Sequence, residues 1–126
     1  MKGMNWAAAA ALIASTALAP MAAGAHELTP TECSEGSDFI RNAALSRDEG
    51  MPERQFIAQF QADVQALQRL PVELRWFVQD KDDEAFLFAA VTDVFRRPKA
   101  AAVHQAQFAV ACVRRIEDGE SSGVRI

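Results

Sequence analysis

The chain has 126 residues, half of them hydrophobic, with 13 Lys and Arg against 17 Asp and Glu and a formal net charge of −4. That length suits one domain. The acidic balance disfavours nucleic acid and anionic lipid as partners, because both demand clustered positive charge.

The first segment reads as a leader. Met1 to Trp6 carries one Lys, and Ala7 to Ala19 is an apolar run, AAAAALIASTALA. Ala23-Gly24-Ala25 then places small residues where a signal peptidase cuts. Residues 1–25 are therefore expected to be a secretory signal peptide, removed before His26. The run is far shorter than the about 20 residues a membrane-spanning helix requires. No stable membrane insertion is expected after cleavage, and the mature chain is placed in the periplasm or outside the cell. Pro30-Thr31-Glu32 before Cys33 is no lipobox, which argues against a lipid anchor. Removing Lys2 with the leader leaves 12 basic against 17 acidic residues, a net of −5.

Helix signals then follow one another without a competing strand signal. Thr29 can cap a first helix, Pro30 fits its first position, and Glu32 can reach back to complete a capping box. Leu28 and Cys33 occupy the positions of a hydrophobic staple. The inner face would be Cys33, Gly36, Ile40, Ala43 and Ala44, with a stop at Gly50. A second helix opens at Pro52, with Phe56, Phe60, Val64 and Leu67 forming one stripe and Ile57 widening it. Pro71 starts a third, short helix to about Val78, with Leu74, Phe77 and Val78 facing inward. A fourth, from about Asp82 to Arg97, carries Phe86, Leu87, Ala90, Val91, Val94 and Phe95 on more than one side, as a central buried helix does. Pro98 ends it. A fifth covers about Ala100 to Ile116, with Ala101, His104, Phe108, Ala111 and Cys112 on one face. Glu117 to Ile126 is polar and glycine-containing and is expected to fray. The expected fold is all-α: a single compact domain of about five helices over residues 26–116, preceded by the leader and followed by a flexible tail, 117–126.

Cys33 and Cys112 are the two cysteines. An even pair in an exported chain reads as a disulfide, and zinc would need further ligands at suitable spacing. The bond would close the whole helical body into one ring.

Candidate sites are few. Asp80-Lys81-Asp82-Asp83-Glu84 has the density of acids of a calcium loop. Counting from Asp80, however, the sixth position is Ala85 and the twelfth Val91, where an EF-hand needs Gly and Glu. The acids fit helix capping and the positive end of the helix dipole, each contact contributing about 0.3–1 kcal/mol. Trp76 either lids the core or anchors a partner; with Arg75 and Asp80 it marks the candidate interaction surface. His26, as a new amino terminus, could chelate copper, but no spacing brings His104 to it. His104 is expected to be half-buried near the disulfide, with a charge that can change near neutral pH. No G-x-S-x-G, H-E-x-x-H or phosphate-binding glycine loop occurs. No catalytic residue, metal site or cofactor is assigned, and the chain is read as a non-enzyme.

With Cys33, Arg47-Asp48-Gly50, Arg75-Trp76-Phe77-Val78-Asp80, Val94-Phe95-Pro98 and Cys112 in place, the chain resembles a group of small exported all-helical proteins of proteobacteria that carry no established activity. More loosely, its size, export, helical character and single disulfide are similar to those of periplasmic acid-stress chaperones and of periplasmic immunity proteins that block cell-wall amidase toxins. The leading reading is a non-enzymatic binding or interaction protein of the cell envelope with a protein partner. The alternatives are a conditional chaperone, a toxin-immunity protein and, behind them, a small hydrolase.

Overall fold

The computed structural model describes residues 27–124, with side chains described for 27–119. The expected leader, 1–25, and His26 lie outside the described residues. Four α-helices follow in order: α1 Pro30–Asp48, α2 Glu53–Leu67, α3 Lys81–Arg96 and α4 Ala101–Val124, with one 3-10 turn, Val72–Leu74, between α2 and α3.

α1 begins as its sequence dictates. Thr29 Oγ1 accepts the Glu32 N–H at 3.1 Å, and Glu32 Oε1 accepts the Thr29 N–H at 3.0 Å. Two donors that a helix start leaves orphaned are thereby satisfied. The helix gives way at Gly50, whose φ of 101° is open to glycine at no steric cost. Between these ends Cys33, Gly36, Ser37, Ile40, Ala43 and Ala44 are buried. All but Ile40 are small, which lets α4 approach closely. A Cβ on Gly36 would stand 2.7 Å from Phe108 Cε1, so the hydrogen there is what admits the Phe108 ring.

α1 packs most broadly on α4 and next on α3, while α2 packs on α3. The centre is therefore shared by α1 and α3, where α3 alone was expected. α3 contributes Leu87, Val91 and Val94, all with no exposure. The Cys33 and Cys112 sulfurs are bonded at 2.06 Å. The bond joins the first turn of α1 to the middle of α4, because α4 continues past the expected stop at Ile116 to Val124.

The expected third helix is reduced to a single turn, so there are four α-helices and not five. Leu74 and Arg75 donate to Pro71 O and Val72 O in the tight i→i+3 pattern. Trp76 then turns to a φ of 55°, which no right-handed helix can contain. Phe77 and Val78 are buried as expected, but Leu74 is 62% exposed. The helical path breaks at Trp76, with Phe77 inside and the preceding turn on the surface.

All eight phenylalanines and Trp76 form one network of ring contacts. Phe39 meets Phe56 and Phe60 at 5.9 and 6.0 Å, and these continue to Phe95 and Phe88. Phe77, Phe86 and Phe108 form a second group, with centroids 5.3–6.1 Å apart. Trp76, 5.9 Å from Phe39 and 5.8 Å from Phe77, is the ring that connects the two groups among the described residues.

Candidate functional site: the cleft beside Trp76

A cleft of about 530 Å³ opens between α1, the second half of α2 and the α2–α3 connection. Phe39 comes from α1. Phe60, Val64 and Leu67 come from the α2 stripe, whose 4-4-3 spacing keeps them on one side. Leu70, Trp76 and Val78 close the far side, and Asp63 places a carboxylate at the rim. Gln59 Nε2 donates to Asp63 Oδ1 at 2.8 Å and so orients it. The lining is otherwise apolar and carries no basic group. Next to it Leu70, Val72 and Leu74 are 40, 49 and 62% exposed, a ridge of large apolar side chains within five residues. Contiguous exposed apolar surface of this kind marks sites of interaction.

Trp76 is held in place from three directions. Its ring packs between Phe39 and Phe77, its Nε1–H donates to Glu35 Oε1 at 3.1 Å, and its carbonyl accepts from Gln79 Nε2 at 3.4 Å. A bulky residue in the left-handed region costs on the order of 1–3 kcal/mol and persists only where its surroundings over-determine it. The ring contacts and the indole hydrogen bond supply that. If the backbone is fixed at this turn, Trp76→Gly will be more stable than Trp76→Ala by about 1 kcal/mol, reversing the usual order of the two residues. Urea unfolding of the two variants checks this; equal midpoints would mean that the turn relaxes once the ring is gone.

Of the three residues expected to form an interaction surface, the structure brings Trp76 alone to the cleft. Arg75 is half-buried, and its Nε donates to Leu70 O at 2.8 Å, closing the α2–α3 connection on itself. Asp80 caps α3, its Oδ1 accepting the Asp83 N–H at 2.8 Å. Phe60, Leu67 and Leu70 were read only as core or as connection. The one sequence signal for Leu67 and Leu70 was the recurrence of large apolar residues at Leu67, Leu70, Val72 and Leu74 around a proline.

The acidic cluster has a hidden member. Asp83 is wholly buried. Its Oδ2 accepts the Gln79 N–H at 3.1 Å, and its Oδ1 accepts from Arg115 Nη2 at 3.1 Å. The Arg115 guanidinium lies 4.7 Å from the Phe86 ring centroid, a cation–π contact that ties α4 to α3. Among the described residues no group of three or more His, Cys, Asp or Glu is placed to hold a metal ion. No helix among them is long and apolar enough to cross a membrane.

His104 is buried rather than half-buried. It lines a second, smaller cleft of about 320 Å³ between α3 and α4, with Ile40, Phe86 and Phe108 in its wall. Arg47 braces the same end of the molecule. Its guanidinium donates to Val94 O and Lys99 O at 2.8 Å each while pairing with Asp48.

No family model, no curated protein and no solved structure matches the chain.

Proposed function

We propose that the chain is exported to the bacterial cell envelope and works there as a non-enzymatic binding protein, seating an apolar side chain of a protein partner in the cleft beside Trp76. The observation that carries this is a strained tryptophan lining an apolar cleft that continues into the Leu70–Leu74 ridge. Strain at a bulky residue is tolerated where function requires a fixed side chain, and an aromatic beside a desolvated pocket is the usual anchor of an interface.

Photo-crosslinking in living cells tests this. A crosslinker replacing Leu70 should trap one discrete protein adduct, and the same group at Val110, exposed on α4, should not. Adding Leu67→Glu should abolish the adduct. The same adduct from both positions, or its survival with Leu67→Glu, would refute a site here. The mass of the exported protein, with and without reductant, tests cleavage before His26.

A second reading, an acid-conditional chaperone, is favoured by one observation. A buried histidine holds the start of α4 through a bond that only its neutral form can make. A toxin-immunity role would be supported by a single tight adduct with the product of a neighbouring gene.

A further inference from the structure

We propose that His104 is an acid-released latch that fastens the first turn of α4 to the corner between α3 and α4. This latch lies apart from the Trp76 cleft and shares no lining residue with it. α4 starts after Ala100, whose side chain offers no cap, and the Val103 and His104 N–H groups return to Ala100 O. The N–H of Lys99, just outside the helix, is accepted instead by His104 Nε2 at 3.0 Å. An Nε2 that accepts carries no proton, so the ring is neutral with its hydrogen on Nδ1. A second proton can only go onto Nε2. The latch then becomes two N–H groups facing one another, at a side chain that is only 3% exposed.

The surrounding charges do not relieve this. α1 brings Arg47 and Asp48, α3 brings Asp93, and the corner itself brings Arg97 and Lys99. Both carboxylates are already engaged: Asp48 by Arg47 at 2.8 Å, and Asp93 by Arg97 at 2.7 Å and Lys99 at 3.7 Å. Burial, then Lys99, then Arg47 hold His104 below the ordinary imidazole range, against a smaller pull from Asp93 and Asp48. The sign follows from that. Above the ordinary imidazole pKa of about 6.5 the latched and open forms are both neutral and the latch is fully effective. As pH falls below it, the open form takes up a proton that the latched form refuses, and the balance shifts toward opening. The loss ends once the latched form is itself protonated.

The rest of the fold sets how far opening can go. Cys112 pins the middle of α4 to α1, and Phe108 is seated against Gly36 of α1, so release is confined to the corner at Lys99 and the first turn of α4. Acid thus loosens one end of the α3–α4 cleft without unfolding the domain.

Amide hydrogen exchange on the oxidised protein, corrected for intrinsic pH dependence, is the test. Between pH 7.5 and 4.5 the protection of the Lys99 amide should fall, approaching about tenfold per pH unit between the ordinary and the latched imidazole pKa. Protection in α2 should hold. In His104→Gln, whose side-chain oxygen can accept but not titrate, Lys99 protection should be flat with pH. Should that variant not fold, the wild type still decides: the His104 ring titration must lie below about 6.5 and coincide with the change in the Lys99 amide signal. Titration at or above that value, or a Lys99 amide indifferent to it, would overturn the proposal.

Discussion

Replacing Cys33 and Cys112 together by alanine is expected to lower the unfolding free energy by roughly 4.5 kcal/mol, the chain-entropy figure for a closed loop of about 80 residues. The two residues are 79 apart in sequence, and the ring between them contains most of α1, all of α2 and α3, and the first half of α4. Cutting it frees the unfolded chain far more than it changes contacts in the folded one. A small domain has about 5–15 kcal/mol in total, so the loss leaves it marginal. Urea unfolding followed by Trp76 fluorescence measures the effect. A change under about 1 kcal/mol would mean that the unfolded chain is already compact enough for the crosslink to matter little.

Asp83→Ala should cost about 3 kcal/mol, at the low end for breaking a buried ion pair. The carboxylate has no exposure. Its loss strands the Gln79 N–H, and it leaves Arg115 over Phe86 without its carboxylate. Arg115 keeps a third of its side chain in water, which softens the loss. Asp83→Asn preserves an acceptor and should cost about half as much. Combining Asp83→Ala with Arg115→Met should cost less than the two changes summed, because no unpaired cation then remains. Thermal or urea unfolding of the four proteins gives the cycle. Strict additivity would show that the pair is not coupled and that Asp83 acts through Gln79 alone.

What the sequence made legible was local or arithmetical. Thr29, Pro30 and Glu32 announce the start of α1 because every partner lies within one turn. Gly50 announces its end for the same reason. Cys33 and Cys112 leave one pairing. The buried faces of α1, α2 and α3 follow from spacing alone. Distance hid the rest. Asp83 looks like its neighbours Asp82 and Glu84 until Arg115, 32 residues on, arrives beside it. Arg47 has the composition of a helix-end residue, and only the fold reveals Val94 O and Lys99 O within its reach. Trp76 defeated the expected third helix because ring packing against Phe39 and Phe77 outweighs a backbone preference that local rules treat as decisive. The cleft was invisible as such: a hydrophobic stripe specifies which side of α2 is apolar, but not whether a neighbour fills it completely.

The broad pairing of α1 with α4 sets an order of events. A polypeptide emerging amino end first presents the small-residue side of α1 long before the helix that covers it has been synthesised. Until Phe108 arrives, Gly36 is a notch with nothing in it. α2 and α3 can assemble early around their own phenylalanines, whereas closure of the domain waits for nearly the last stretch to appear. Premature termination between the end of α1 and residue 112 would therefore release a species with a sticky, unmatched surface and a lone thiol. Such fragments should be cleared by proteases or should pair wrongly with one another.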